Sequence, residues 1–187
     1  MFDADGGRFT YAYDAVGRLA SLHNPKQERT TYGYDAAAQK TAIWLANQSR
    51  TSHTFDAAGR KTMVHNLDSN DTTLSRFDYQ YDGVGNRLSV AEDGGDRVTW
   101  TYDRSYQLRR EHRSGVSGYD VTHAYDAVGN RLLQVEGAAR TTFAYDAANQ
   151  ITSKVDFAGI TTYSHDADRP LSEVGVWMLR YRRHAKP

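Results

Sequence analysis

The amino-acid sequence predicts an all-β, solenoid-like fold in which tandem β-hairpins join side by side into a twisted, spiralling sheet. Two observations lead to this prediction. A tyrosine–aspartate motif recurs about eight times at a near-constant spacing, and a second ring stands two residues before each copy. Composition agrees with it: 12% of the 187 residues are aromatic and 13 are tyrosine, whose ring packs well on a pleated surface.

The repeated dipeptide is Tyr-Asp or a close variant. Its copies are Tyr13-Asp14, Tyr34-Asp35, Phe55-Asp56, Tyr81-Asp82, Tyr102-Asp103, Tyr125-Asp126, Tyr145-Asp146 and His165-Asp166. Successive aspartates lie 21, 21, 26, 21, 23, 20 and 20 residues apart. The preceding rings are Tyr11, Tyr32, His53, Tyr79, Trp100, His123, Phe143 and Tyr163. A fixed period of this length is typical of repeat proteins, in which each unit buries its apolar face against its neighbours.

The ring-x-ring spacing predicts the first strand of each unit, because side chains two residues apart leave a strand on the same face. The aspartate predicts its end, since a carboxylate can bond to the backbone two residues on and start a type I turn. A glycine three residues later can close a three-residue hairpin with a bulge. These glycines are Gly17, Gly59, Gly85 and Gly129, with Asn149 in the seventh repeat. Ala38, Tyr106 and Arg169 hold the position elsewhere, and we expect looser or different turns there.

A second short strand follows each turn, and polar connectors join the units. The clearest second strands are 18–22 and 86–90, and the connectors are 23–26, 67–71, 92–96 and 114–118. The spacing of 26 residues indicates an insertion in a connector, where extra chain length costs little. Residues 35–46 favour a helix by local propensity, but the regular spacing on both sides favours strands.

Composition excludes several classes of protein. Lys plus Arg and Asp plus Glu both number 23, so bulk charge gives no attraction to nucleic acid or an anionic membrane. The sequence has no cysteine and therefore no disulfide or thiolate zinc site. The first residues lack the apolar segment of a secretory signal. The longest apolar run, 42–46, is far shorter than the ~20 residues of a membrane span.

The motif at 11–19, Tyr-Ala-Tyr-Asp-Ala-Val-Gly-Arg-Leu, resembles the YD repeat of the rearrangement-hotspot (Rhs) proteins. The same repeat occurs in bacterial wall-associated proteins, insecticidal toxin-complex C components and animal teneurins. The resemblance covers residues 3 to about 174. We therefore expect a YD-repeat array over 1–174 and a basic, disordered tail over 175–187.

The resemblance implies a β-ribbon that spirals into a hollow shell, of which this chain would be an open segment. In bacterial relatives the shell encloses a C-terminal toxin until delivery, and in teneurins it supports adhesion. The implied partners are further YD repeats or a toxin cargo in a larger polypeptide or complex, and the implied location is secreted or at the cell surface. Eight hairpins are too few to close such a shell, so we expect unpaired backbone edges on both terminal strands.

Four groups of residues allow a chemical alternative to a structural role. The aspartate column could bind metal, but Asp-x-x-Gly already explains it as a turn cap. His53, His123 and His165 stand at ring positions and are expected to pack like tyrosine. Trp44 and Trp100 are the candidates for stacking against a sugar. The basic tail could dock an acidic partner, but a solvated end is the simpler interpretation.

The sequence thus predicts a structural shell or scaffold segment with no catalytic residue, cofactor or metal. The alternative is an adhesion module that binds carbohydrate or protein through exposed aromatic rings.

Overall fold

The computed structural model describes residues 6–166 and 169–177, and these residues form β-strands joined by turns, without a helix. The strands are β1 Thr10–Tyr13, β2 Leu19–His23, β3 Arg29–Tyr34, β4 Lys40–Trp44, β5 Arg50–Phe55, β6 Lys61–Leu67, β7 Thr73–Tyr81, β8 Arg87–Glu92, β9 Arg97–Tyr102, β10 Leu108–Arg113, β11 Tyr119–Tyr125, β12 Arg131–Glu136, β13 Ala139–Tyr145, β14 Ile151–Asp156, β15 Gly159–Asp166 and β16 Arg169–Trp177. The predicted all-β fold is confirmed. Residues 40–44 form a strand, as the repeat spacing indicated.

The chain divides into two compact units, Met1–Arg97 and Val98–Pro187. In the first, β1 to β8 follow one another in sequence order, each antiparallel to the next. In the second, β9 to β16 do the same. Each unit is therefore a meander of hairpins, in which every repeat touches the repeats before and after it.

The turn after each YD motif has one geometry. In the first repeat the N–H of Asp14 donates to the carbonyl of Arg18 at 2.8 Å, and that of Gly17 to the carbonyl of Asp14 at 3.0 Å. Tyr13 then pairs with Leu19 across a bulge. This is the predicted three-residue hairpin, and the φ angles of Gly17, Gly59, Gly85 and Gly129 are 83°, 76°, 100° and 98°.

The expectation of looser turns at Ala38 and Tyr106 was wrong. Both residues adopt positive φ, 61° and 62°, and both turns form the same pair of backbone bonds as the glycine turns. The cost of the left-handed conformation in a residue with a Cβ is outweighed by the bonds that fix the turn. At Arg169 the turn does differ, because Asp166 pairs with Arg169 directly.

The connectors are turns of similar construction on the opposite edge. The N–H of Asn24 donates to the carbonyl of Glu28 at 3.1 Å, and Gln27 has a φ of 64°. The long spacing after the third repeat does not lengthen a loop, contrary to expectation. The turn at 68–72 keeps the common form, while β6 and β7 grow to 7 and 9 residues, because added residues that continue a ladder keep their backbone groups paired.

Burial is shallow throughout. Among the residues whose side chains are described, the buried ones are few and mostly small: Ser21, Ala42, Leu67, Ser89, Val90 and Val98. Most strand residues are half-buried, so stability comes from many contacts between neighbouring strands and not from one thick core. β16 runs to Trp177, beyond the expected array boundary at 174. The rest of the predicted tail, 178–187, lies outside the described residues.

The turn at Asp35 offers a test with opposite signs at two alanines. Ala38→Gly should stabilise the protein by up to about 1 kcal/mol, because relief of a left-handed residue, worth ~1–2 kcal/mol, exceeds the entropy cost of glycine, ~0.5–1 kcal/mol. Ala36→Gly, in the same turn without positive φ, carries the entropy cost alone and should destabilise. Urea unfolding of both variants measures the difference, and equal effects would contradict the turn geometry.

Candidate functional site, the contact between successive repeats

In each of the first seven repeats, Oδ1 of the YD aspartate accepts a hydrogen bond from the backbone of its own turn. In the first repeat Oδ1 of Asp14 accepts from the N–H of Val16 at 3.1 Å and of Arg18 at 2.8 Å. The same pair of bonds recurs at Asp56, Asp82, Asp103, Asp126 and Asp146. The backbone N–H of Arg18, followed by its guanidinium, holds the pKa of the Asp14 carboxyl below its ordinary value. The aspartates are therefore turn caps, as the spacing indicates.

In three repeats the residue after the glycine position completes the cap and also bonds to the next repeat. Nε of Arg18 lies 2.7 Å from Oδ2 of Asp14, while its Nη1 donates to the carbonyl of Asp35 at 3.1 Å. Arg60 repeats this arrangement, at 2.6 Å to Asp56 and 2.7 Å to the carbonyl of Asp82. One guanidinium thus ties the turns of two successive repeats together.

Asparagine performs the same task where arginine is absent. Nδ2 of Asn130 donates to Oδ2 of Asp126 and to Oδ1 of Asn149, both at 2.9 Å. Asn86 donates to Oδ2 of Asp82 at 2.8 Å. Sequence reasoning missed this position. The signal was present, since in the first seven repeats the residue four after the aspartate is a side chain that can donate: Arg18, Gln39, Arg60, Asn86, Gln107, Asn130 or Gln150. The eighth repeat has Pro170 there.

The second ring of the motif bonds to the repeat before it. The hydroxyl of Tyr34 donates to the backbone carbonyl of Leu19 at 3.0 Å, and Leu19 stands five residues after Asp14. The same bond, always to the residue five after the preceding aspartate, joins Tyr81 to Lys61 at 2.8 Å, Tyr125 to Leu108 at 3.0 Å and Tyr145 to Arg131 at 3.0 Å. In the eighth repeat Nε2–H of His165 donates to the carbonyl of Ile151 at 2.7 Å. We call this contact the ring hook.

Cations cover the rings. The guanidinium of Arg18 lies 4.7 Å from the ring centroid of Tyr34, and that of Arg60 lies 5.0 Å from that of Tyr81. The first ring of the motif, two residues before the second, is covered by the cation of the residue five after an aspartate. These pairs are Lys40 over Tyr32 at 4.6 Å, Arg87 over Tyr79 at 4.9 Å and Arg131 over Phe143 at 4.8 Å. Each such contact contributes about 0.5–1 kcal/mol at a partly exposed site.

The two candidate tryptophans have structural contacts. A Cβ placed on Gly33 would meet the Trp44 ring at 3.0 Å, so the indole lies over that glycine, and Trp44 itself is 41% exposed. Nε1–H of Trp100 donates to Oε2 of Glu111 at 2.8 Å, and the Tyr119 hydroxyl bonds the other oxygen of the same carboxylate. These contacts hold neighbouring strands in register.

No cluster of three or more metal-binding side chains occurs among the described residues. Nor does any described helix have the length and apolar character needed to cross a membrane. A shallow groove of about 300 Å³ is lined by Leu22, Glu28, Thr30 and Leu45, among others. Glu28 contributes its one carboxylate, so the groove assembles no acid–base pair.

Removal of one ring hook should weaken one repeat contact. Tyr125→Phe deletes the hydroxyl that donates to Leu108 and should destabilise the protein by about 0.5–1.5 kcal/mol. Tyr106→Phe is the matched control, because its side chain is 60% exposed and should cost almost nothing. Urea unfolding compares them, and an equal loss in both would contradict a role for the hook.

Acidification should destabilise the array through two first-ring histidines. Burial, and after it the charges of Lys61 and Lys40, lowers the pKa of His53. Burial, and after it Arg131, lowers that of His123. Both Nδ1 atoms are buried without a hydrogen-bond partner among the described residues. Because the folded protein then binds fewer protons than the unfolded chain, stability is complete above the unfolded pKa of about 6.5 and falls as the pH drops below it.

The measurement is Tm from about pH 8 to 5. The double variant His53→Tyr/His123→Tyr places at both sites the residue that other repeats carry there, and its Tm should fall less over this range. An unchanged pH dependence in that variant would show that other groups control it.

A family model of the RHS repeat matches residues 13–43 and 125–161. No curated protein matches the sequence. The fold resembles that in the crystal structure of TcdB2-TccC3-Cdc42, with a TM-score of 0.74 and 14% identity over 86% of this chain and 11% of that one.

A second similar structure is that of the Photorhabdus luminescens Tc holotoxin pore, with a TM-score of 0.62 and 17% identity over 89% of this chain and 12% of that one. The chain therefore spans about a tenth of the length of the chains it resembles. At these identities the likeness concerns the fold. Together, the repeated motif and the family-model matches show that the chain contains RHS repeats at residues 13–43 and 125–161, within a fold similar to those structures.

Proposed function

We propose that this chain is a structural segment of a YD-repeat β-shell. Its role is to form part of the shell wall and not to catalyse a reaction. In this proposal it works next to further YD repeats in a larger polypeptide or complex that encloses or presents a cargo. The cargo would be a toxin, and the assembly would act after secretion or at the cell surface.

The observation that carries the proposal is the use of the motif's polar groups. The aspartate oxygens cap their own turns, the following arginine or asparagine bridges to the next turn, and the tyrosine hydroxyl bonds the repeat before. These are the residues that recur along the sequence. Because these recurring polar side chains join one repeat to the next, they support a structural role for the chain.

The likeness to solved structures supports the same role. The matched chains belong to TcdB2-TccC3-Cdc42 and to a Tc holotoxin pore, so this fold occurs within toxin assemblies. Since the match takes in 11% and 12% of those chains, enclosure of a cargo would require many more repeats than this chain contributes.

The proposal of a non-catalytic role rests on how the candidate groups are engaged. The histidines at 53, 123 and 165 occupy ring positions, and His165 replaces a tyrosine hydroxyl in the ring hook. Asp14, Asp56, Asp82 and Asp126 accept hydrogen bonds on both oxygens, and the pKa of each lies below its ordinary value. This suits a cap better than an acid or base that must exchange protons.

The adhesion alternative gains no specific support from the rings. The indole N–H of Trp100 donates to Glu111, and the ring of Trp44 lies over Gly33. A glycan array with the wild-type chain and Trp44→Ala tests this alternative. Specific binding that the substitution abolishes would favour it over a wall segment.

The shell role can be tested by expressing the chain together with the coding sequence that flanks it. We expect further YD repeats and a toxin domain, and we expect limited proteolysis to spare the enclosed domain. The variant Tyr81→Phe/Tyr125→Phe should accelerate its cleavage, because two ring hooks are lost and the wall opens more often. Tyr106→Phe is the control.

Two outcomes would contradict the proposal. One is a locus without further repeats or a cargo domain. The other is a downstream domain that is cleaved as fast within the intact polypeptide as when it is released from it.

A further inference from the structure

The turn of the fifth repeat differs in composition from the other turns. In the first four repeats, the sixth and the seventh, the three positions after the aspartate hold glycine, alanine or valine, except for Asn149. The fifth repeat has Arg104, Ser105 and Tyr106 there, and Arg109 at the sixth position after the aspartate. The other six have alanine, threonine or leucine at that sixth position. Four positions of one turn therefore depart together, and each holds a side chain that can contact a ligand.

This departure is not needed to form the turn. Oδ1 of Asp103 accepts from the N–H of Ser105 at 2.8 Å and from that of Gln107 at 3.0 Å, as in the other repeats. Tyr106 has a φ of 62°, which is unfavourable for a residue with a Cβ. Its side chain is 60% exposed, so burial of the ring does not offset the strain. Strained residues of this kind are concentrated at functional sites.

The side chains of the fifth turn line a shallow hollow of about 550 Å³. The lining residues are Tyr102, Asp103, Arg104, Ser105 and Arg109. Both arginines are exposed, and within the part of the chain that the structure describes neither guanidinium has a hydrogen bond or an ion pair. The neighbouring Arg110, by contrast, donates two hydrogen bonds to Asp120. The hollow thus presents two cations that are available to a ligand.

The charge of the hollow favours a single carboxylate as its ligand. Two guanidinium groups and the carboxylate of Asp103 line it, which leaves one net positive charge. Arginine binds a carboxylate through parallel N–H donors. A polyanion would need a wider positive surface, whereas this chain has no net charge. Tyrosine and arginine are also enriched among the residues that contribute most to binding between proteins.

We propose that the tip of the fifth YD turn is a binding site for an acidic segment of a partner protein. Arg104 and Arg109 bind a carboxylate of that segment, and the exposed ring of Tyr106 packs against an apolar residue next to it. This proposal goes beyond the wall-segment role and does not depend on it, because the site lies within one repeat.

The test uses the full chain and a blocked pentapeptide, acetyl-Gly-Leu-Asp-Leu-Gly-amide. The same peptide with asparagine in place of aspartate is the control ligand. Titration is followed by NMR through the Nε–H signals of the arginines. We expect the signals of Arg104 and Arg109 to shift, with a dissociation constant on the order of 1 mM. The asparagine peptide should bind about tenfold more weakly, because it lacks the charge.

Two substitutions should weaken binding of the aspartate peptide. Arg104→Ala and Arg109→Leu each remove one charged donor and should raise the dissociation constant about tenfold. Leucine is the residue that two other repeats carry at the position of Arg109. Arg140→Ala is the matched control, because it removes an exposed arginine near the start of β13, outside the hollow. It should leave the dissociation constant unchanged.

Tyr106→Gly separates binding from stability. Glycine is the residue that four other repeats have at this position, and it relieves the positive φ, so Tm should rise by up to about 4 °C. Loss of the ring should nevertheless weaken peptide binding about fivefold. A tyrosine with a purely structural role would change Tm and leave the dissociation constant as it is.

Equal binding of the aspartate and asparagine peptides would overturn the proposal. So would a loss of binding in Arg140→Ala as large as in Arg104→Ala, or the absence of shifts at Arg104 and Arg109 up to about 10 mM peptide. Inorganic phosphate is titrated in parallel. Tighter binding of phosphate than of the peptide at these two arginines would indicate a phosphate site, and would also overturn the assignment of a carboxylate ligand.

Discussion

The hydrogen bond from the second ring of one repeat to the backbone just past the turn of the repeat before is the contact on which the other features depend. It links three things that a sequence shows separately: the ring, the aspartate and the length of the turn. The hydroxyl of Tyr34 reaches the carbonyl of Leu19 because the turn between Asp14 and Arg18 has a fixed size. This explains why spacing within the motif is constant, while the distance between aspartates varies from 20 to 26 residues. Variation falls on the other edge and on strand length, where no hook is disturbed.

The same interlocking explains how far the sequence could predict the structure. Period-two rings and Asp-x-x-Gly were enough for the strands and turns, because they are local signals. Two features were not local. The turns at Ala38 and Tyr106 lack glycine yet keep its φ, since the hydrogen bonds that the aspartate of each turn accepts fix the backbone around them. The five extra residues that the sequence indicated in a polar connector lie in strands β6 and β7, because the pairing between these strands continues through them.

The contact between successive repeats could also be predicted only in part from the sequence. The tyrosines and aspartates could be named from their repetition. The donor after the glycine position could not be recognised from one repeat, because Arg18, Asn130 and Gln150 share neither size nor charge. They share a donor group on one side of the turn, and their task appears when Arg18 is seen to bond both Asp14 and the next turn. The acceptor of the hook is a backbone carbonyl, which leaves no trace in the sequence.

The contacts between neighbouring repeats are the main source of stability, because the strands do not enclose a thick core. Few described side chains are buried, so apolar burial per repeat is modest, and cations over rings and hooks between repeats supply direction as well as energy. The direction is fixed: the donor of each hook lies on the later repeat and the acceptor on the earlier one. The two ends of such an array are therefore chemically different, and contacts between arrays would be heterologous, not two-fold. Because each added hairpin forms its hook with the same geometry, an array of this kind can be extended by whole repeats without a change in the contact between them.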